Sequence, residues 1–271
     1  MEARRHERTL FLLAMLTLLI ASIPAQGYAG MGDATVYALC YHSFLGTKRH
    51  AGDVGLTELA SQLDTLSSHG YRFVTLEDMA SGRISGRLNV LVTIDDGNAS
   101  VKDAFRNVFK PRGIRPLLCI YPAVIGKRSY SLTWGEIASL AQEGCEVAAH
   151  GYYHLVLNER LFETDPDAFS REIAASKRML EERLHTRIRV FAYPSGVHGP
   201  HAEKAVRDAG YRYAFTIRWG PIRVPADLAG SPLRLPRYMI YSGNWPVVVG
   251  AIRNDALPSG RQRMHASTLR P

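Results

Sequence analysis

Thr93-Ile94-Asp95-Asp96-Gly97 ends an apolar run, Asn89-Val90-Leu91-Val92, with two adjacent carboxylates. Side chains alternate along a strand, so neighbouring residues point to different sides. One carboxylate can then face a metal ion while the other faces a water or a substrate, the division of labour that metal-assisted hydrolysis uses. A charged turn capping a core strand would look the same in isolation, so the other polar groups decide.

His150-Gly151-Tyr152-Tyr153-His154 places two imidazoles at i and i+4. A helical turn there would aim both rings the same way. With one strand-end carboxylate they make the two-histidine, one-carboxylate set of an open, catalytic zinc-type site. Such a metal lowers the pKa of a water to about 7 and polarises a carbonyl, and the second carboxylate is then free to act as general base. Cobalt, nickel, iron and manganese suit the same donors. Tyr41-His42 ends the first apolar run. His42 reads either as a core histidine or as the general acid that an amine leaving group requires.

Phe191-Ala192-Tyr193-Pro194-Ser195-Gly196 closes a further run. A strand entering a turn would account for it. At a hydrolytic rim, however, the Tyr193 N–H would stabilise an oxyanion and its ring would wall a substrate groove. Trp134, Tyr152, Tyr153 and Trp219 are other aromatic candidates for a sugar face, several of them core residues. His185, His198 and His201 have no such placement.

These groups need elements to hold them. Short apolar runs at Val36–Tyr41, Tyr71–Val74, Val90–Ile94, Pro116–Tyr121, Cys145–Ala149, Val190–Tyr193, Tyr213–Ile217 and Tyr238–Tyr241 alternate with helical patterns. Leu56, Leu59, Leu63 and Leu66 have helical spacing, with Gly70 as the stop. Thr75 caps a brief helix, and Thr133 with Glu136 forms a capping box. Further helices are expected at about 100–109, 167–184, 201–209 and 246–252, and a Pro- and Gly-rich loop at 219–236. Alternating β and α segments predict parallel strands wrapped by helices, and seven or eight units favour a closed or nearly closed barrel over an open doubly wound sheet. No Gly-x-Gly-x-x-Gly follows the first strand, which counts against dinucleotide binding. Every chemistry-bearing group above sits at a predicted strand C-terminus.

Arg4, Arg5 and Arg8 precede an apolar run from Leu10 to Ile23 and a small-residue exit, the pattern of a secretory signal over residues 1–27. The run is short of the roughly 20 residues that span a bilayer; an uncleaved anchor is the alternative, and it would be the chain's one membrane contact. The protein is therefore expected to be exported to a periplasm, cell envelope or medium. The domain is expected over residues 35–255 and a disordered tail over 256–271. The net charge of +8 is scattered, with no basic helix interleaved with aromatics, so nucleic acid is excluded and an anionic envelope polymer favoured. Cys40, Cys119 and Cys145 are an odd, widely spaced set that reads as buried free thiols. Nothing in the pattern specifies an oligomeric state.

Together these motifs resemble the polysaccharide deacetylase family, the NodB-homology domains of carbohydrate esterase family four. The resemblance runs from about Val36 to Ile240. Leu39-Cys40-Tyr41-His42-Ser43-Phe44 and the Tyr-Pro-x-Gly form of the third motif look like the branch that acts on poly-β-1,6-N-acetylglucosamine. It implies a distorted (β/α) barrel of seven to eight parallel strands, Asp95 as base, Asp96, His150 and His154 as ligands of one divalent metal with zinc first, and His42 as acid. Tyr193 and Pro194 fall in its third motif, Arg237 is the arginine that would orient Asp95, and Trp134 is a further candidate on the substrate side. An N-acetylated glycan is the implied substrate; an O-acetyl esterase or a non-catalytic glycan-binding barrel are the rivals. Gly151 stands where the family carries a Ser or Thr that steadies the metal loop, which predicts a looser site.

Overall fold

The computed structural model describes residues 32–47 and 51–256. The expected signal segment and all of the expected tail but Ala256 lie outside the described residues. Among the described residues, no helix is long and apolar enough to cross a membrane.

Two long strands carry the sheet. β1 (Ala34–Tyr41) and β3 (Gly86–Asp95) run parallel, from Val36 opposite Asn89 to Tyr41 opposite Ile94. The far edge of β3 is shared end to end by β2 (Arg72–Val74) and β4 (Leu117–Ile120). β5 (Glu146–Ala149), β6 (Val190–Ala192) and β7 (Tyr213–Phe215) continue the parallel series. On the other side of β1 lies β9 (Tyr238–Met239), parallel at Leu39 and Cys40. The segment leading into β9 closes the ring onto β7: Leu235 N–H donates to Ala214 O at 2.8 Å, Thr216 N–H to Leu235 O at 2.9 Å, and Arg237 N–H to Arg218 O at 3.0 Å. The result is a distorted (β/α) barrel whose parallel strands end at one rim.

One expectation needs correction. The 219–236 stretch is not all loop: it holds β8 (Ile222–Val224), antiparallel to β1 at Ala34–Val36, and a short helix α8 (Ala226–Gly230). Ile222 and Val224 are buried while Arg223 between them is exposed. That period of two is a strand signal, outweighed in the sequence by the flanking Gly and Pro. The sheet therefore has nine strands among the described residues, one of them antiparallel.

Helices α1 (Leu56–Ser68), α2 (Leu76–Ala80), α3 (Val101–Ala104), α4 (Trp134–Gln142), α5 (Glu159–Thr164), α6 (Pro166–Leu184), α7 (Pro200–Asp208) and α9 (Trp245–Ala256) complete the order. Thr75 and Thr133 both form reciprocal capping boxes, with Asp78 and Glu136. After α3 the chain tightens through a π turn at Phe105–Phe109 and a 3₁₀ turn at Lys110–Arg112, where Pro111 lacks the N–H an α-helix would use. Leu59, Leu63 and Leu66 of α1, Val92 and Ile94 of β3, Phe105, Phe109, Leu180 and Phe191 pack between helices and sheet. The alternate strand residues, among them Ala38, Cys40, Thr93, Cys119, Ala148 and Ala192, are buried inside the ring. All three cysteines are buried and free, as the spacing predicts.

Leu63 is fully buried in the seam between α1 and the sheet. Leu63→Ala is expected to cost about 2–5 kcal/mol, cavity term included, measured as a lowered midpoint in chemical denaturation.

Candidate active site

β3 delivers Asp95 inward. Its carboxylate, 2% exposed, is gripped from two sides by Arg237, with Nη1 to Oδ1 at 2.7 Å and Nη2 to Oδ2 at 2.9 Å. Arg237 is wholly buried and two further donors are used: Nε–H donates to Thr216 O at 3.0 Å and Nη1–H to Thr93 Oγ1 at 3.1 Å. Its guanidinium also lies 5.7 Å from the Phe215 ring centroid. Cys40 donates its thiol proton to Asp95 Oδ2 at 3.3 Å. Burial by itself would raise the Asp95 carboxyl, but the Arg237 guanidinium, with His150 and His42 nearby, outweighs it and holds the group far below the usual carboxylate range. Burial raises the Cys40 and Cys119 thiols, so both stay protonated beside it.

Asp96 turns the other way because its backbone is left-handed, φ 74°. Its Oδ1 lies 3.7 Å from His150 Nε2 and 3.7 Å from His154 Nε2. The three ligand atoms are all within 4.8 Å of one another. His150 Nδ1–H donates to the Ala192 carbonyl at 2.8 Å, which leaves Nε2 with its lone pair toward Asp96. Burial lowers the His150 pKa against the pull of Asp95 and Asp96, favouring the neutral, metal-binding form. One nitrogen ligand with a fixed tautomer, a second imidazole and a carboxylate fit a divalent metal of the zinc type.

The loop carrying the two histidines is not the helical turn that the i, i+4 spacing suggested. Gly151 and His154 both have left-handed φ, 74° and 66°. The rings still meet, 4.7 Å apart between centroids, because Tyr152, Tyr153 and Leu155 donate their N–H groups to one carboxylate, Glu172 of α6. Of the four non-glycine residues with left-handed φ among the described residues, Asp96, His154 and Ser195 belong to these loops; the fourth, His185, ends α6. Strain concentrated this way marks a functional site.

A ring nitrogen of His42 lies within 4.8 Å of both Asp95 and Cys40 ligand atoms. His42 Nδ1 is buried with no hydrogen-bond partner among the described residues, against Gly52, where an added Cβ would lie 3.3 Å away. Nε2 is thus the nitrogen left to exchange a proton.

Two expectations fail. Tyr193 N–H already donates to Phe215 O at 3.0 Å in the β6–β7 ladder, and its ring is fully buried against Phe191 and His198. It offers neither an oxyanion donor nor a groove wall. Gly196 and Val197 N–H groups are also engaged, with Tyr193 O and Pro194 O. Ser195 in that turn has a left-handed φ of 55°. Pro194 is buried and lies against Gly151. Trp134 opens α4 and packs on the core beneath Arg183, with Cζ 5.6 Å from its ring, outside the ligand cluster. In its stead the structure supplies Tyr121 at the end of β4, its ring 5.4 Å from that of His154. The loop it begins is tied to the turn between His150 and His154 and to the turn after Asp96, Ala123 N–H to Tyr152 O and Ala99 N–H to Tyr130 O.

A barrel rim that gathers two imidazoles and a carboxylate able to hold a metal ion, a second carboxylate locked by arginine and a further histidine is a candidate hydrolytic centre. Comparison with known proteins narrows the class. The polysaccharide deacetylase profile matches residues 82–214. The solved structure of IcaB from Ammonifex degensii is 31% identical, covering 80% of this chain and 96% of that one, with a TM-score of 0.70. Among curated proteins, YxkH of Bacillus subtilis, named as a polysaccharide deacetylase, is 26% identical over 67% of the chain. The poly-β-1,6-N-acetyl-D-glucosamine N-deacetylase of Staphylococcus epidermidis is 22% identical over 68% of the chain. The matches span 64% and 66% of those two relatives. The chain belongs to the polysaccharide deacetylase family, the NodB-homology barrels of carbohydrate esterase family four.

Removing one partner of the Arg237–Asp95 pair strands the other as a buried charge. Arg237→Met is expected to destabilise by about 3–5 kcal/mol, and Asp95→Leu added to it to restore much of that. A double-mutant cycle on denaturation midpoints checks both.

Proposed function

We propose that the chain is an exported, metal-dependent N-deacetylase that hydrolyses the acetamide of N-acetylglucosamine units in an envelope or extracellular glycan. The observation that carries this is the juxtaposition of Asp96, His150 and His154 with a second carboxylate, Asp95, whose Oδ2 lies 3.6 Å from His150 Nε2 while both of its oxygens are bound by Arg237. The signal-like N-terminus supports export, and the Staphylococcus relative, itself named for poly-β-1,6-N-acetyl-D-glucosamine, supports a β-1,6-linked substrate.

A divalent metal held by Asp96, His150 and His154, zinc first, would supply Lewis acidity toward the acetamide carbonyl and a water. Asp95 stays ionised at neutral pH and accepts the proton of the attacking water. Arg237 holds that carboxylate in one orientation without competing for the metal. His42 Nε2 gives its proton to the glucosamine nitrogen as the C–N bond breaks, and the products are acetate and a free amine. Tyr121 and the exposed Tyr130 and Tyr153 stand on the loops around the triad as aromatic surface for sugar rings.

The wild-type protein with zinc is expected to release acetate from β-1,6-linked N-acetylglucosamine oligomers. Asp95→Asn and His42→Ala should each lose about 10²–10⁴ in rate. No acetate from N-acetylated oligomers, or release only from O-acetylated ones, would remove this assignment. Chelation should also lower the melting temperature, since metal at 100 times its Kd stabilises by about 2.7 kcal/mol; thermal scans with and without added zinc check it.

A further inference from the structure

Residues 150–155 belong to no helix or strand, yet they carry both imidazoles. His150 N–H donates to Ile120 O and Ala123 N–H to Tyr152 O, and one side chain takes three of the loop's remaining N–H groups. Glu172 of α6 is completely buried and accepts three N–H groups from this loop: Tyr153 to Oε1 at 2.8 Å, and Leu155 and Tyr152 to Oε2 at 3.0 and 3.1 Å. Three converging N–H dipoles make a concave anion site. Without them a carboxylate would not persist in the interior.

Gly151 is part of the same device. A Cβ at that position would fall on Glu172 Oε2 and come within 3.0 Å of Pro194 Cγ, quite apart from the left-handed φ. The absence of a side chain at 151 is what admits the carboxylate. Glu172 also stands out on its helix, because Phe169, Ile173, Ser176 and Leu180 bury the same face.

We propose that Glu172 is the positioning residue of the metal centre: by pinning the N–H groups of Tyr152 and Tyr153 between the two histidines and of Leu155 just after the second, it sets the separation of His150 and His154, and Gly151 is its obligatory steric partner. This rests on the assignment of Asp96, His150 and His154 as metal ligands. It also means that the loop, although lacking a hydroxyl at 151, is supported from beneath.

The test is zinc affinity, titrated against a competing chelator on the folded, full-length protein. Glu172→Gln keeps the shape but sets an NH₂ against backbone donors. It is expected to weaken zinc binding about 10–100-fold, with the far-UV circular dichroism unchanged. At saturating zinc, KM for the glycan should be unaltered, which a general loss of structure would not allow. Gly151→Ala should weaken zinc binding in the parent and do so less on top of Glu172→Ala, where the carboxylate it collides with is gone. Wild-type zinc affinity in Glu172→Gln, with the wild type itself binding zinc, overturns the proposal and leaves the metal centre standing. A wild type that binds no zinc overturns both. Should Glu172→Gln not fold, Glu172→Asp, too short to reach all three donors, is titrated instead, and unchanged affinity there overturns the proposal equally.

Discussion

The ion pair between Arg237 and Asp95 joins the closing of the barrel to its chemistry. Arg237 lies on the segment that completes the ring between β7 and β1, and its guanidinium crosses the interior to β3. Both charges are taken out of water, an expensive step that only near-ideal geometry and full hydrogen bonding offset. Here each guanidinium nitrogen has an acceptor, and the carboxylate collects a thiol donor as well. The pair is weak evidence for stability in itself. Its consequence is specificity: a chain that closes in another register leaves two buried charges unpaired.

From that pair the rest of the rim follows. Arg237 binds both oxygens of Asp95, and the next residue, Asp96, faces both imidazoles from a left-handed backbone. His154 and Ser195 carry the same conformation in the neighbouring loops. Such conformations persist where surrounding contacts over-determine them. The Ala192 carbonyl fixes His150, Glu172 fixes the loop beyond it, and Pro194 lies against Gly151. Elements β5, β6 and α6 thus act as one support beneath the ligands.

The chain shares the barrel of the polysaccharide deacetylases, and its rim brings together Asp95, Asp96, His42, His150 and His154. Tyr121, Tyr130 and Tyr153 stand on the loops around the triad, and Lys127 and Arg128 are exposed on the same loop as Tyr130.

The local signals in the sequence were strong enough to decide a good deal. The short apolar runs ending in polar groups placed Asp95, Asp96, His42 and His150 at one rim, since parallel strands must end together. Thr133 and Glu136 marked a helix start from four adjacent residues. The residues that failed were those whose role depends on a distant backbone. Tyr193 looked free to donate until β7 supplied Phe215 O, and the His150–His154 spacing suggested a helix that Glu172, some 20 residues on, replaces with a pinned loop. Ile222–Val224 read as loop because an antiparallel edge on β1 was not visible from its own composition. Arg237 could be named by resemblance alone, for a guanidinium 142 residues from its carboxylate leaves no local trace. Sequence by itself determined which groups are present and which way each strand end points. Tertiary structure decided which donors were already spent, because a hydrogen bond is settled by whatever backbone arrives from elsewhere in the chain.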